Sequence, residues 1–275
     1  MDIGANLTHD SFDHDRDSVL ERARAVGVGT MVVTGADVAG SESALTLARQ
    51  YPEFLYATAG VHPHVAAEYG DQASARLRSL ADAPEVVAVG ECGLDYFRNF
   101  SPRDAQASAF AAQLELAAEL QMPVFMHQRD AHADFLEVYD RFRSGIVRGV
   151  VHCFTGTADE LEDYLARDLY IGITGWICDE RRGLHLREFV GRIPANRLMI
   201  ETDAPYLLPR DLDPKPAMRR NEPMHLAHIA RVLAGCRGED PEQLAAATTA
   251  NARRFFDLPL SENHQHEQGQ AAAIR

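Results

Sequence analysis

The chain has 275 residues, of which 46% are hydrophobic and 25% are charged. These proportions are typical of a globular protein and exclude a disordered or fibrous one. The 27 Lys and Arg residues against 41 Asp and Glu give a formal net charge of −14. This balance excludes a protein that holds nucleic acid by a broad basic surface, because such binding depends on cations that neutralise phosphates.

The sequence shows no signal for export or membrane insertion. Its first residues lack the basic and apolar segments of a signal peptide, and it has no run of about 18 apolar residues. Its four cysteines, Cys92, Cys153, Cys178 and Cys236, form no Cys-x-x-Cys pair. A large core does not need disulfides, so we expect a cytoplasmic protein without a membrane partner.

Short runs rich in Val, Ile and Leu recur along the chain and predict strands. Near-continuous apolar strands are typical of a parallel sheet that is buried on both faces. The eight runs are Asp2–Leu7, Thr30–Thr34, Leu55–Ala59, Val86–Gly90, Val124–His127, Gly149–His152, Leu169–Ile173 and Leu198–Glu201.

Amphipathic helical patterns lie between these runs. Residues Asp15–Val26 and Asp104–Leu120 each place apolar side chains along one stripe. Ser101, followed by proline, predicts a capped start for the second helix. Thr157 and Asp240 each begin a pattern with the spacing of a capping box.

The density of these units predicts an α/β protein, a single-domain TIM-like (β/α)8 barrel over residues 1–260, since such barrels have about 250 residues. The alternative is a doubly wound open sheet, which normally has a glycine-rich first turn. Residues 5–9 have no such glycine pattern. Residues 261–275 are rich in Gln, His and Ala and predict a disordered tail, in which His264 and His266 could bind a metal only weakly.

Polar residues gather at the carboxyl ends of the predicted strands, where the active site of such a barrel forms. A single histidine is more often a hydrogen-bonded structural residue than a ligand, but the joint placement of several favours a site. These residues are Asn6, Thr8, His62, His64, Glu91, His127, His152 and Asp203.

Three of them have the chemistry of a catalytic metal site. Glu91, His127 and His152 would supply two imidazoles and a carboxylate and leave positions open for water and substrate. Asp203 could bind the metal or take a proton from an attacking water. Strand alternation turns Glu201 the other way and predicts a supporting role. The donor set suits Zn²⁺, and chemistry at a phosphoryl oxygen suits Mg²⁺ or Mn²⁺.

Another interpretation of Glu91 stays open at this point. A carboxylate at the top of a buried strand costs several kcal/mol unless it is paired or bound to a metal. A salt bridge to Arg98 or Arg129 would also satisfy it.

Seven motifs in one order resemble those of the TatD-type metal-dependent nucleases. They cover the chain from residue 1 to about residue 258. The motifs are Asn6–Thr8, Gly60–His64, Gly90–Asp95, His127–Asp130, His152–Gly156, Gly172–Trp176 and Glu201–Tyr206.

The resemblance implies a TIM-like barrel of the amidohydrolase superfamily. It also implies a cytoplasmic, Mg²⁺-dependent 3′–5′ exonuclease that acts on the ends of single-stranded DNA and RNA and is linked to repair of oxidative DNA damage. The family's metal ligands fall on Glu91, His127 and His152, and its catalytic aspartate falls on Asp203. Many members have His-x-His where this chain has Asn6 and Thr8, so we expect one firm metal site.

Substrate contacts are predicted around this centre. His62 and His64 could hydrogen-bond the terminal nucleotide, and Arg98, Arg129 and Arg219 are candidates for phosphate contacts. Simple loop packing is the alternative for the two histidines, and an ordinary surface position is the alternative for the three arginines.

The sequence also gives predictions for two aromatic side chains, for the oligomeric state and for rival functions. Phe97 and Tyr206 could stack on a base or pack in the interior. The sequence shows no interface stripe, so we expect a monomer. The rival functions are a small-molecule amidohydrolase on the same barrel and a catalytically inert scaffold.

Overall fold

Eight parallel strands form one sheet in chain order. The computed structural model describes residues 1–259. Each strand pairs in parallel with the next, from the first to the eighth. The strands are β1 (Asp2–Ala5), β2 (Met31–Val33), β3 (Leu55–Ala59), β4 (Val86–Asp95), β5 (Val124–Arg129), β6 (Gly149–Val151), β7 (Tyr170–Ile173) and β8 (Leu198–Ile200).

Helices connect the strands and cover the outside of the sheet. Within residues 1–259, one α-helix lies between each strand and the next, and two follow the last strand. They are α1 (Arg16–Ala25), α2 (Val38–Gln50), α3 (Asp71–Ala81), α4 (Arg103–Leu120), α5 (His132–Phe142), α6 (Ala158–Leu165), α7 (Leu184–Phe189), α8 (Leu226–Arg237) and α9 (Pro241–Phe255).

The first and last strands meet and bring the sheet close to a full barrel. Just past β8, the Asp203 N–H donates to the Gly4 carbonyl at 2.8 Å, and the Asn6 N–H donates to the Ala204 carbonyl at 2.7 Å. This closure confirms the predicted (β/α)8 architecture. The open doubly wound sheet is wrong for this chain.

One strand boundary differs from its prediction in a way that matters for the site. The fourth strand does not stop at Gly90 but continues to Asp95. Its register against β5 shifts between Val89 and Cys92, after which the pairing resumes as far as Asp95 and Arg129. Glu91 therefore lies inside a strand, at the register shift, and Asp95 is the residue that ends it.

The helix caps were predicted with mixed success. The Thr157 side chain accepts from the Glu160 N–H in a full capping box, and Asp240 accepts from two backbone N–H groups of α9, both as predicted. The predicted cap by Ser101 is wrong. Pro102 occupies the cap position, and the Ser101 hydroxyl instead donates to the His64 carbonyl at 2.9 Å, which ties the start of α4 to the loop after β3.

Two apolar clusters make up the core. The larger lies between the sheet and the helices, and the smaller gathers residues from the strands, such as Ile3, Phe125 and Met199, with Phe255 of α9. The smaller cluster fills the barrel below the polar residues described next, so the barrel is a packed core with its chemistry at one end.

Two further predictions concern membrane spans and the tail of the chain. None of the helices within residues 1–259 combines the length and hydropathy that a membrane span requires. The predicted disordered tail, residues 261–275, lies outside the described residues.

Candidate active site

Three histidines surround one carboxylate oxygen at the carboxyl end of the barrel. The Oε1 atom of Glu91 lies 2.7 Å from His152 Nε2, 3.1 Å from His127 Nδ1 and 3.2 Å from His62 Nε2. Glu91 is 6% exposed. These side chains come from β4, β5, the residue after β6 and the loop after β3, so neighbouring strands of the barrel bring them together.

The three histidines account for the ionisation of Glu91. Burial alone would raise the pKa of this carboxyl, but His152, His62 and His127 hold the pKa well below its usual range. In return, Glu91 and Glu201 outweigh the effect of burial on His152 and raise the pKa of its imidazole. No arginine forms a salt bridge with Glu91 within residues 1–259. The proposed pairing with Arg98 or Arg129 is therefore not observed.

A second carboxylate, Asp95, lies behind the histidines. Its Oδ2 atom is 2.9 Å from His64 Nε2 and 3.3 Å from His127 Nε2. Burial favours the protonated acid, but the hydrogen bonds from His127, His64 and the Arg98 backbone outweigh it and lower the pKa of Asp95. Asp95 is thus an ionised group that orients both imidazoles.

Glu201 orients His152 from the opposite side. Its carboxylate accepts from His152 Nδ1 at 3.3 Å and from the Cys153 N–H at 2.5 Å. Two glycines make room for it, since a Cβ atom at Gly4 would lie 2.5 Å from Oε2 and one at Gly172 would lie 2.6 Å from Oε1. The supporting role predicted for Glu201 has this physical basis.

Asp203 lies beside this group. Its Oδ1 atom accepts from Asn6 Nδ2 at 2.9 Å. Burial raises the pKa of Asp203 to about 7; His152 lowers it in part, and Glu91 and Glu201 raise it further. Asn6, which stands where many family members have a histidine, therefore holds the carboxylate that was predicted to be catalytic.

The donor atoms fit a divalent cation. Ligand atoms of His62, Glu91 and His127 all lie within 4.8 Å of one another. Ligands bonded to one cation at about 2.1 Å lie about 3 Å apart at right angles, close to the nitrogen–oxygen separations found around Glu91. A cluster of imidazoles on one carboxylate has the chemistry of a metal site.

The predicted substrate residues occupy different places around this centre. His64 is partly exposed beside Phe100, at 4.8 Å between ring centroids. The Arg129 guanidinium lies 4.1 Å from the centre of the Phe97 ring, and the Arg98 guanidinium lies 5.6 Å from it. Arg219 is further away, in a cavity between the loops that follow β7 and β8.

Aromatic rings are exposed near the same end of the barrel. Phe97 is 54% exposed, Phe100 68% and Tyr206 51%. They lie in the loops after β4 and β8. Burial of Phe97 and Tyr206 in the interior, the alternative to base stacking, is thus not observed.

Comparison with known proteins gives the family. The family model described as TatD related DNase matches residues 1–257. The chain belongs to the TatD-related DNase family. Two relatives named 3′-5′ ssDNA/RNA exonuclease TatD are similar to it over most of its length. The protein of Erwinia tasmaniensis is 55% identical over 258 residues, covering 94% of this chain and 100% of that protein. The protein of Citrobacter rodentium is 56% identical over 260 residues, covering 94% and 98%.

A solved structure from the same family has the same fold. The TatD homologue YJJV of Escherichia coli superposes with a TM-score of 0.84 at 29% sequence identity, over 94% of this chain and 98% of that chain. The family predicted from the motifs is confirmed.

Sequence reasoning missed three features of this site. It assigned His62 to the substrate, whereas the structure brings His62 against Glu91, beside the predicted metal donors. It gave Asp95 and Phe100 no role. The Gly-Leu-Asp that ends the motif at Asp95 was a usable signal, because a carboxylate at the true end of a buried strand needs partners.

Proposed function

We propose that this protein is a metal-dependent 3′–5′ exonuclease that hydrolyses phosphodiester bonds at the ends of single-stranded DNA and RNA. The observation that carries the proposal is the ionised Glu91 held among His62, His127 and His152, in a chain whose relatives bear that name.

Four side chains would hold the cation: Glu91, His127, His152 and His62. We propose Mg²⁺, and the imidazole-rich donor set would also accept Mn²⁺ or Zn²⁺. When bound, the cation would supply Lewis-acid polarisation of a phosphoryl oxygen. Glu201 and Asp95 would keep the His152 and His127 rings oriented for this purpose, as carboxylates behind ligating histidines do.

Asp203 is proposed as the group that takes a proton from the attacking water. Its pKa of about 7 lies near neutral pH, which is where a general base works best. Asn6 occupies one oxygen and leaves the other for the water. Because Asn6 acts as a hydrogen-bond donor here, we propose that one cation binds firmly.

The substrate would enter over the exposed rings. His64 and Arg129 would contact the terminal phosphates, with Arg98 at the edge, and Phe97, Phe100 and Tyr206 would stack on bases. Participation in repair of oxidative damage, a cytoplasmic location and a monomeric state remain predictions.

Substitution at the centre tests the metal assignment. Glu91→Ala or His127→Ala should abolish the shortening of a 5′-labelled single strand, because each removes a donor and leaves the other buried groups unpaired. Glu137→Ala, an exposed glutamate of α5, is the matched control and should retain full activity. Near-normal hydrolysis by Glu91→Ala with an intact circular dichroism spectrum would contradict the assignment.

Metal removal tests the cofactor and the rival functions together. Chelation should stop hydrolysis, and added Mg²⁺ should restore it. A 5′ label and a 3′ label on the same strand should show shortening from the 3′ end. Cleavage of an amide in place of any oligonucleotide would favour the amidohydrolase alternative, and the absence of bound metal and of activity would favour the inert scaffold.

A further inference from the structure

A cationic cavity lies between the loops that follow β7 and β8. Its volume is about 700 Å³. Five basic side chains and an indole are among the residues that line it: Arg181, Arg182, Arg210, Lys215, Arg219 and Trp176. Apart from Arg219, none of these residues entered the site predicted from sequence.

Two residues of this cavity are unique in the sequence. Lys215 is the one lysine among 27 basic residues, and Trp176 is the one tryptophan of the chain. All the other basic residues are arginines. The cavity therefore contains the single lysine side chain of the sequence together with its single indole. The single tryptophan also gives a spectroscopic signal that reports from this cavity.

The cavity keeps a surplus of positive charge although the chain is acidic. Asp179 pairs with Arg181 at 3.5 Å, Arg182 at 3.0 Å and Arg210 at 3.7 Å. Arg210 also reaches Glu180 at 3.5 Å. Two carboxylates thus face these three arginines. Lys215 and Arg219 form no salt bridge within the part of the chain that the structure describes, so their charges are available to an anion.

The cavity lies close to the candidate active site. Leu207 lines it and follows Asp203 by four residues, which can span at most about 14 Å. On the other side, the Arg129 guanidinium lies 5.7 Å from the Trp176 ring, and Arg129 ends the strand that carries His127. At about 3.4 Å per stacked nucleotide, the cavity begins within about four nucleotides of the catalytic end.

The loop that carries Lys215 is anchored before it reaches the cavity. Asp211 accepts from His228 Nε2 at 2.7 Å and lies 3.7 Å from the Arg187 guanidinium. These contacts tie the start of the loop to α8 and α7. The loop that carries Lys215 is therefore held in place by two helices.

We propose that this cavity binds the sugar-phosphate backbone of the single strand on the 5′ side of the bond being cut. Lys215 and Arg219 would contact phosphates directly, and the indole would lie against the strand. A charged groove with an aromatic side chain is the usual means of holding a single strand without reading its sequence. The inference rests on the proposed exonuclease function and adds to it a second contact region.

Intrinsic fluorescence tests occupancy without hydrolysis. Metal-free protein is titrated with a single strand of about 10 nucleotides, within the range of about 4–16 that single-strand sites cover. The Trp176 emission should change and saturate with the strand, and a mononucleotide at the same concentration should produce little change. Binding seen by anisotropy of a labelled strand, without any change in Trp176 emission, would overturn the proposal.

Charge removal tests the two unpaired cations. Lys215→Gln with Arg219→Gln should weaken strand binding about tenfold at low salt. It should also reduce the salt slope of log Kd by about 1.4, or about 0.7 for each lost phosphate contact. The control is Arg141→Gln with Arg254→Gln, which removes the same charge from the last turns of α5 and α9. Helix α5 follows β5 and runs antiparallel to it, so its last turn lies at the opposite end of the barrel. The last turn of α9 lies at that end too, because Arg253 donates to the Thr30 hydroxyl, just before β2, at 3.2 Å.

The outcomes separate this inference from the proposed function. A double variant whose affinity and salt slope equal those of the parent, with the parent degrading the strand normally, overturns the inference alone. A parent that neither binds nor degrades the strand overturns both. A loss that the control pair reproduces would show a general effect of net charge and would overturn the role of the cavity.

Discussion

At the scale of residues, the candidate centre depends on how buried carboxylates are partnered. Glu91, Asp95 and Glu201 each accept hydrogen bonds from histidines, and each histidine is in turn fixed in orientation. Buried charges of this kind are costly unless they are paired. Three imidazole nitrogens converge on one oxygen of Glu91, which is the arrangement expected of ligands around a cation.

The contact between Glu201 and His152 gives a prediction at this scale. In Glu201→Gln, one oxygen would become an NH₂ group that faces an N–H donor, either His152 Nδ1 or the Cys153 amide. The His152 ring would lose its fixed orientation, and metal affinity and kcat should each fall by about 10- to 100-fold. Calorimetric titration with Mn²⁺ and single-turnover hydrolysis measure the two quantities.

The matched control for this change is Glu188→Gln, a substitution of another glutamate, on α7. It should leave metal affinity and kcat as they are. A Glu201→Gln protein that melts at a lower temperature but binds metal with the parent's affinity would show that Glu201 is merely structural.

At the scale of elements, the strands carry the site and the helices hold the strands in place. The register shift inside β4 is the feature that separates Glu91 from Asp95 and lets both reach histidines of the neighbouring strands. Helix α9 packs Phe255 into the smaller apolar cluster, at the end of the barrel opposite Glu91 and Asp95. A change confined to α9 is therefore expected to alter stability and to leave the chemistry unchanged.

The cap of α9 gives a prediction for stability without activity. The Asp240 carboxylate accepts from the Glu242 and Gln243 N–H groups, both at 3.0 Å. Asp240→Ala should cost about 1 kcal/mol of unfolding free energy, or about 2–4 °C in Tm for a domain of this size. Asp240→Ser keeps an acceptor and should recover most of the loss. Thermal unfolding measures both, and a fall in kcat for Asp240→Ala would contradict the separation.

At the scale of the whole molecule, this acidic chain keeps some cations without a salt-bridge partner at the carboxyl end of the barrel, within residues 1–259. The net charge of −14 repels a polyanion at long range, while Arg129, Lys215 and Arg219 offer local contacts near the proposed catalytic end. These few local contacts are enough for an exonuclease that holds one end of a strand and then releases it.

Salt dependence gives the prediction at this scale. The log–log slope of single-strand binding against salt should correspond to about two to four phosphate contacts, each contributing about 0.7. Duplex of the same length should be retained poorly. Anisotropy titrations across a salt series measure this slope. A slope typical of about six to ten contacts would contradict the proposed distribution of charge.

The sequence by itself determined the number and order of the strands, the barrel and the family. It also predicted Glu91, His127 and His152 as the main donors, and these residues lie together in the structure. Apolar periodicity and strand-end chemistry are local, so they can be recognised along the chain. Only the tertiary structure decided that His62 faces Glu91, that Asp95 orients His64 and His127, that Asn6 holds Asp203, and that Lys215 and Trp176 share a cavity. These pairs are brought together by barrel closure and by the register of β4 against β5, which depend on the packing of the whole chain.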